Sequence, residues 1–392
     1  MERIGIYGGT FNPPHVGHIR AARYAIEVLQ LSKLLLIPSC IAPHKILPSD
    51  SPTPEQREQM LQMAAGEKME VCDIEITRGG TSYTYQTVEM LADMYPDKEL
   101  VLFMGTDMFL SFFSWREPQR ILKKASVGVF YRGDAGELEQ IVAQKAKMEA
   151  DGIRVYLVEN PVTVISSTDI RRLLVFQCAD AFLPDAVAEY IRLKGFYGTG
   201  KDYRQLPMEK LEQVVVGLLK PSRVAHVLGC RNTAAELARC WGANETDCAR
   251  AGLLHDITKA LDGPLQLTLC RGYGMVLDEF SKHNPKTLHA LTGSLVAERI
   301  FGENREVVAA ICSHTTGKAN MTTLEKILYV ADYMEPTRDF PGVDKLRRLA
   351  FEDLDKALKL GLQMTLDLLE QRGQDVSPES AEALAFLQQA GV

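Results

Sequence analysis

The pattern of apolar positions changes about halfway along the chain. In residues 1–198, short apolar runs with the length of buried strands alternate with segments whose apolar residues recur every three or four positions. The strand-like runs are Ile4–Tyr7, Lys33–Ile37, Leu100–Met104, Ala125–Tyr131 and Val155–Val158. The helical segments are His18–Gln30, Glu55–Ala65 and Thr84–Met94. This alternation predicts an α/β domain with a Rossmann-like, doubly wound parallel sheet.

From about Met208 onward the apolar spacing is helical almost throughout, which predicts an all-α domain over residues 208–392. The segments with this spacing are Leu211–Leu219, Val224–Trp241, Thr246–Leu261, Leu288–Phe301, Glu306–Ser313, Leu324–Tyr333 and Phe351–Glu370. Three glycines between Gly195 and Gly200 are typical of a domain edge. Residues 199–207 are therefore expected to link a first domain, 1–198, to the helical one.

Composition narrows the classes of function. A length of 392 residues fits two domains, and the net charge of −7 argues against a nucleic-acid coat or a polybasic membrane anchor. No apolar run approaches the ~20 residues that cross a bilayer, and no signal-peptide pattern is visible. The eight cysteines show no CxxC spacing, which favours reduced thiols. We expect a cytoplasmic protein that binds neither nucleic acid nor membrane; its oligomeric state is not indicated.

The first strand leads directly into a candidate phosphate site, Gly8–His18, with the sequence GGTFNPPHVGH. Its glycines allow backbone N–H groups to approach an anion closely, and the helix that follows adds the positive end of its dipole. His15 and His18 can both donate hydrogen bonds to phosphate oxygens. The alternative is a Gly/Pro turn with two surface histidines.

Two distant motifs together resemble the nucleotidyltransferase superfamily. His15-Val16-Gly17-His18 matches its HxGH sequence, and Ile165–Arg171 matches its ISSTxxR segment about 150 residues later. The closer resemblance, over roughly residues 1–198, is to bacterial nicotinate-nucleotide adenylyltransferases. It is carried further by Pro43-His44-Lys45, Ser82-Tyr83-Thr84, Gly105-Thr106-Asp107 and Trp115.

This resemblance implies direct transfer of AMP from Mg²⁺-ATP to nicotinate mononucleotide, giving deamido-NAD and pyrophosphate without a covalent intermediate. The implied catalytic residues are His15, His18, Lys45 and Arg171. The implied ATP-binding residues are Gly8, Gly9, Thr10, Gly105, Asp107, Ser166, Ser167 and Thr168. Thr84 and Trp115 are expected to bind the nicotinate nucleotide. Simple helix capping by Ser166–Thr168 and a core role for Trp115 are the alternatives. Ser39-Cys40 stands where some relatives have asparagine, so the choice between nicotinate and nicotinamide stays open.

The second half contains a different candidate site, built from histidine and aspartate. Its members are His226, His255, Asp256, His289, His314 and Asp332. Each lies in or at the end of a predicted helix, and buried imidazole and carboxylate groups need partners. Neutral His and ionised Asp suit Fe²⁺, Mn²⁺ or Zn²⁺, so a metal site is predicted. The alternative is a set of hydrogen-bonded structural histidines.

The order H…HD…D resembles the HD phosphohydrolase superfamily, with His226, His255-Asp256 and Asp332 in those places. His289 and His314 match the branch that holds two metals. Residues 205–370 resemble the bacterial HD family that hydrolyses diadenosine tetraphosphate symmetrically to two ADP. That resemblance implies two iron or manganese ions and a dinucleoside polyphosphate substrate. Lys259, one turn after the doublet, is the expected catalytic lysine; Thr315, Arg338, Lys345 and Arg347 are candidate phosphate contacts.

The sequence therefore predicts a bifunctional enzyme, a nucleotidyltransferase of NAD biosynthesis joined to an HD phosphohydrolase. Two alternatives remain for the second domain. It acts on another nucleotide or a cyclic dinucleotide, or it is a metal-bearing regulatory module without turnover.

Overall fold

The computed structural model describes residues 2–43, 47, 51–131, 135–159 and 165–392. The chain forms two compact units, Met1–Lys201 and Asp202–Val392. The division between them falls within the segment 199–207. No described helix is both long and apolar enough to span a bilayer.

The first unit is built on six parallel strands in the order β3-β2-β1-β4-β5-β6, which confirms the predicted doubly wound sheet. The strands are β1 (Arg3–Gly9), β2 (Lys33–Pro38), β3 (Met69–Val71), β4 (Glu99–Gly105), β5 (Ala125–Tyr131) and β6 (Val155–Glu159). The helices are α1 (Val16–Leu29), α2 (Pro54–Ala64), α3 (Ile74–Arg78), α4 (Thr84–Met94), α5 (Thr106–Leu110), α6 (Pro118–Leu122), α7 (Ala135–Ala150), α8 (Ser167–Val175) and α9 (Asp185–Lys194). Short 3-10 turns occur at Phe112–Ser114, Asp180–Phe182 and Phe196–Gly198.

The position of β1 determines where a ligand can bind. β1 pairs with β2 on one side, where Gly8 faces Ile37, and with β4 on the other, where Tyr7 faces Phe103. The chain thus leaves β1 toward one edge of the sheet and later returns to its other side. In open α/β sheets of this order, ligands bind at the carboxyl ends of the strands where the direction reverses.

The strand β3 is absent from the sequence-based prediction. It has only three residues, too few to show an alternating pattern. It exists because Met69 and Val71 pair with Leu34 and Leu36 of the long apolar strand β2. Its backbone pairing, rather than its own sequence, therefore makes it a strand.

Every element of the second unit, residues 202–392, is helical, which confirms the predicted all-α domain. The helices are α10 (Met208–Leu218), α11 (Pro221–Trp241), α12 (Glu245–Leu254), α13 (Gly263–Gly272), α14 (Glu279–His283), α15 (Leu288–Arg299), α16 (Arg305–Ser313), α17 (Thr323–Met334), α18 (Val343–Glu352), α19 (Leu354–Gln371) and α20 (Pro378–Gln389).

Two predicted helices differ from the structure by more than three residues at one end or are divided in two. The predicted helix Thr246–Leu261 ends at Leu254, and the chain then turns at His255-Asp256. The predicted helix Phe351–Glu370 is two helices, because Asp353 leaves the helical conformation and its side chain accepts a hydrogen bond from the Lys356 N–H. The first of these differences lies at the predicted metal site.

Candidate functional sites

A cavity of about 1190 Å³ opens at the carboxyl ends of β1 and β4. Its lining includes every residue predicted for this site that lies in the described part of the chain: Gly8, Gly9, Thr10, His15, His18, Thr84, Gly105, Asp107, Trp115, Ser166, Ser167, Thr168 and Arg171. Lys45, the remaining predicted residue, lies outside the described residues. The sheet topology thus brings together side chains from five separate stretches of sequence.

The two histidines of the first motif lie against each other at the start of α1. Their ring centroids are 3.6 Å apart, and the backbone N–H of His15 donates to Nδ1 of His18 at 3.3 Å. A neutral His18 ring therefore carries its proton on Nε2, where it can serve as a donor. His15 is buried, and its Nδ1 has no hydrogen-bond partner among the described residues. A buried polar atom of this kind is expected to meet a ligand or water.

Burial lowers the pKa of His15 from 6.5 to about 4. The folded protein thus binds this proton more weakly than the unfolded chain does, and His15 favours unfolding as the pH falls below about 6.5. Between about pH 7.5 and about pH 5, we expect the wild type to lose about 2 kcal/mol of stability relative to a His15→Asn variant. Urea unfolding measures this difference through Trp115 fluorescence in a Trp241→Phe background. Parallel pH dependences of the two proteins would contradict it.

The second motif is bonded directly to the first. Ser167 Oγ donates to the Pro13 carbonyl at 3.0 Å, and Arg171 donates to the Asn12 carbonyl at 2.8 Å. The capping alternative holds for Ser166, whose side chain accepts the Asp169 N–H at the start of α8. The start of α8 and the Arg171 guanidinium therefore lie beside the glycine-rich loop, where both favour an anion.

Arg57 supports the loops that border this site, and the sequence reasoning missed it. It lies on α2 and is 1% exposed, and its guanidinium donates to the carbonyls of Thr10, Ser39 and Cys40 at 2.7, 2.6 and 3.2 Å. It thereby joins the loop after β1 to the loop after β2. The one sequence signal was an arginine at helical spacing from the apolar residues Met60 and Leu61.

We expect Arg57→Met to destabilise the first unit by about 3 kcal/mol, because one buried and two partly buried carbonyls lose a charged donor. The same urea unfolding experiment measures it. Arg154→Met is the matched control: that arginine pairs with Glu99 but is 66% exposed, so a loss below about 1 kcal/mol is expected. An equal loss in both variants would contradict the proposed role of Arg57.

Both residues expected to bind the nicotinate nucleotide, Thr84 and Trp115, line the cavity. Thr84 is the first residue of α4, which has the predicted bounds. The Trp115 indole lies 5.3 Å from the Phe112 ring and packs partly against the core, so it lines the cavity while also contributing to the core. Ser39 is buried and donates its backbone N–H to the Gly9 carbonyl.

In the second unit, five helices bring the six predicted ligands together. His226 lies in α11, His289 in α15 and Asp332 in α17. His255-Asp256 directly follows α12, and His314 directly follows α16. The close approach of α11 and α12 requires a small residue, because a Cβ on Gly252 would lie 2.8 Å from the Arg231 Cα. Five of the six ligands are buried, and Asp332 is partly buried.

The four histidines all point the same ring atom into the cluster. Nδ1 of each lies within hydrogen-bond distance of an oxygen: Glu335 Oε1 for His226 (3.0 Å), Gly252 O for His255 (2.8 Å), Lys286 O for His289 (2.8 Å) and Ile311 O for His314 (2.7 Å). A carbonyl can only accept, so Nδ1 carries the proton and Nε2 has the free lone pair. This is how metal-binding histidines are commonly held.

Two carboxylates complete the cluster. Asp332 Oδ1 lies 3.1 Å from His226 Nε2. Asp256 Oδ2 lies 3.6 Å from the Nε2 atoms of both His226 and His255, while its Oδ1 lies 3.5 Å from His289 Nε2. In two groups, the potential ligand atoms lie within 4.8 Å of one another: His226, His255 and Asp332, and His255, Asp256 and His314. The donor set of neutral imidazoles and carboxylates therefore fits divalent iron, manganese or zinc.

Burial favours the neutral, cation-binding form of three of these imidazoles. It lowers the pKa of His255 and His289 well below the usual value, and lowers that of His314 as well. Lys259 is an exposed residue, yet its Nζ lies 3.0 Å from His289 Nε2, and desolvation there lowers its pKa to about 8. Its ammonium thus lies at the edge of the cluster.

The other predicted phosphate contacts fall into two groups. Thr315 Oγ1 lies 3.2 Å from His289 Nε2, and Arg338 pairs with Asp332 at 2.7 Å, so both are at the cluster. Arg347 instead donates to backbone carbonyls of the loop after α17, and Lys345 is exposed. Arg223, which the sequence reasoning missed, contacts Asp256 from the first turn of α11.

Comparison with known proteins separates the same two parts of the chain. Residues 6–173 match the family model described as cytidylyltransferase-like, and residues 223–337 match that of the HD domain. The first half is similar to a probable nicotinate-nucleotide adenylyltransferase of Desulfatibacillum aliphaticivorans, with 36% identity over 50% of this chain and 99% of the relative.

The second half is similar to a different group of proteins, which are named as hydrolases. It is 37% identical to the symmetrical bis(5'-nucleosyl)-tetraphosphatase of Bacillus subtilis (strain 168), over 41% of this chain and 87% of that protein. A solved structure from Clostridium acetobutylicum, described as a predicted HD superfamily hydrolase involved in NAD metabolism, is 35% identical. The matched region covers 47% of this chain and 98% of the Clostridium acetobutylicum chain, with a TM-score of 0.46.

Proposed function

The chain belongs to the cytidylyltransferase-like family in its first half and to the HD-domain family in its second, and on that premise we propose a bifunctional enzyme. The first unit transfers AMP from ATP to nicotinate mononucleotide, giving deamido-NAD and pyrophosphate. The second unit hydrolyses diadenosine tetraphosphate to two ADP.

The observation that best supports the transferase is the bonding of the two motifs to each other at one end of the cavity, through Ser167–Pro13 and Arg171–Asn12. The substrate phosphate is itself a nucleophile, so the enzyme needs to align it with the α-phosphorus of ATP and stabilise the leaving pyrophosphate. His15, His18, Lys45 and Arg171 are proposed for that stabilisation. Mg²⁺ enters with the ATP phosphates.

The adenine and ribose of ATP are proposed to lie near Gly105 and Asp107. The glycine-rich loop Gly8–Thr10 and the start of α8, Ser166–Thr168, are proposed to bind the phosphates, since both present backbone N–H groups. Thr84 and Trp115 are proposed to hold the nicotinate nucleotide, with the pyridine ring stacked on the indole.

Incubation with ATP and either nicotinate or nicotinamide mononucleotide tests the transferase. Formation of deamido-NAD and pyrophosphate, at a higher kcat/KM for the nicotinate substrate, is the expected result. A preference for the nicotinamide substrate would reverse the assigned specificity, but the proposed adenylyl transfer reaction would stand. Radiolabelled AMP that stays on denatured protein would contradict direct transfer.

The observation that best supports the hydrolase is the convergence of four imidazole Nε2 atoms and two carboxylates. We propose that His226, His255, Asp256, His289, His314 and Asp332 hold two iron or manganese ions. When bound, such ions stabilise charge on a phosphoryl oxygen and lower the pKa of a water molecule. Lys259, Thr315 and Arg338 are proposed to bind and orient the polyphosphate chain.

Diadenosine tetraphosphate incubated with protein loaded with Fe²⁺ under anaerobic conditions, or with Mn²⁺, tests the hydrolase. ADP as the sole product is the expected result. ATP plus AMP would assign attack to a different phosphorus. No product, with the metal content verified, would favour another nucleotide substrate or a regulatory role.

A further inference from the structure

Glu335 is a buried carboxylate that the proposed mechanism does not use. It follows the last residue of α17 and is 0% exposed. Among the described residues, the lysine or arginine nitrogen nearest to its side chain is Arg338 Nε, at 3.8 Å from Oε1. At that distance Arg338 donates no hydrogen bond to the carboxylate, which therefore depends on the donors around it.

Those donors come from one neighbouring loop residue and one histidine. The Thr337 N–H donates to Oε2 at 2.7 Å, and the Thr337 hydroxyl donates to Oε1. His226 Nδ1 lies 3.0 Å from Oε1. The loop after α17 thus fixes the carboxylate, and the carboxylate in turn receives the ring of His226.

This contact sets His226 apart from the other three histidines of the cluster. Their Nδ1 atoms donate to backbone carbonyls, whereas His226 alone donates to a charged side chain. A hydrogen bond to a carboxylate is stronger than one to a neutral acceptor, and it increases the basicity of the opposite ring nitrogen.

The sequence of α11 leaves room for this carboxylate. Gly229 lies one turn after His226 on the same helix, and a Cβ there would come 2.5 Å from Glu335 Oε2. Any larger residue at position 229 would push the carboxylate away from its place. Gly229 is therefore compatible with this position of the carboxylate, whereas alanine is not.

We propose that Glu335 is a positioning residue of the metal centre, which accepts the Nδ1 proton of His226 and so holds Nε2 as the ligand atom. The proposal rests on the metal site proposed above, and it is independent of the substrate hydrolysed there. It assigns no contact between Glu335 and a metal or substrate.

The test uses the full chain, with ¹⁵N-labelled histidine, in two measurements. The ¹⁵N spectrum of the metal-free protein reports which ring nitrogen of His226 carries the proton, and electron paramagnetic resonance reports the affinity for Mn²⁺. In Glu335→Ala we expect His226 to lose its single Nδ1–H tautomer and the Mn²⁺ affinity to fall about 10- to 100-fold. In Glu335→Gln the side-chain oxygen still accepts, so the tautomer stays and the affinity falls less.

Gly229→Ala provides a second route, because it displaces the carboxylate without removing it, and the same loss of affinity is expected. It also serves if Glu335→Ala does not fold. Glu325→Gln is the matched control: this glutamate lies on the same helix, is also 0% exposed and pairs with Lys318 rather than with a cluster histidine. Its Mn²⁺ affinity is expected to equal that of the wild type.

Wild-type Mn²⁺ affinity and an unchanged His226 tautomer in Glu335→Ala and Gly229→Ala would overturn the proposal. An equal fall in Glu325→Gln would overturn it too, since the effect would then be general destabilisation. If the wild type binds no Mn²⁺, Fe²⁺ or Zn²⁺, the metal site itself is wrong and the proposal falls with it.

Discussion

Replacing Asp256 by asparagine is expected to reduce hydrolysis by the second unit at least about 1000-fold. Asp256 is 1% exposed, and its two oxygens face different parts of the cluster: Oδ2 faces His226 and His255, and Oδ1 faces His289. A single carboxylate thus connects both candidate ligand groups. Asparagine keeps its shape but removes the charge that a pair of divalent cations requires.

The proposed adenylyl transfer activity of the first unit is the internal control for this variant. Adenylyl transfer by the Asp256→Asn protein is expected to match the wild type, which shows that the protein is folded. Elemental analysis is expected to find less bound metal in the variant. Full hydrolysis by a variant that has lost its metal would contradict the proposed site.

Replacing His18 by alanine is expected to lower kcat for adenylyl transfer about 100- to 1000-fold, with a small change in KM for ATP. Its Nδ1 accepts the His15 backbone N–H, which assigns the ring proton of neutral His18 to Nε2. That Nε2–H is the donor proposed to stabilise the charge that develops on the leaving pyrophosphate. A donor that acts in the transition state changes kcat more than substrate binding.

His18→Gln tests which ring nitrogen acts. The glutamine amide nitrogen reaches a position similar to that of histidine Nε2, so this variant is expected to recover part of the lost kcat. Hydrolysis by the second unit serves as the internal control. If glutamine and alanine are equally slow, the donor role assigned to Nε2 is wrong; if KM alone changes, His18 contributes only to binding.

Much of the candidate chemistry was predictable from local sequence. Residues with a special task at a helix start or a strand end lie in short, recognisable segments, such as His15-Val16-Gly17-His18 and Ile165–Arg171. Both segments follow strands of the parallel sheet, and the carboxyl ends of parallel strands lie at one edge. In the structure the two segments are joined by direct hydrogen bonds, Ser167 to Pro13 and Arg171 to Asn12.

The residues that support the sites were not predictable in this way. Arg57 and Glu335 are charged residues that a sequence pattern assigns to the surface. Each is buried beside its own hydrogen-bond partners: backbone carbonyls for Arg57, and Thr337 and His226 for Glu335. The carbonyls and His226 are distant in sequence from the residues that they contact, so no local pattern indicates these contacts.

By itself, the sequence determined the two kinds of fold and indicated most of the candidate site residues, because hydrophobic periodicity and motif spacing are local properties. Only the tertiary structure decided that β3 is a strand, that α12 ends before His255, and that all four histidines present Nε2 to the same point. These features depend on backbone pairing and on hydrogen bonds whose partners are fixed only once the elements have packed together.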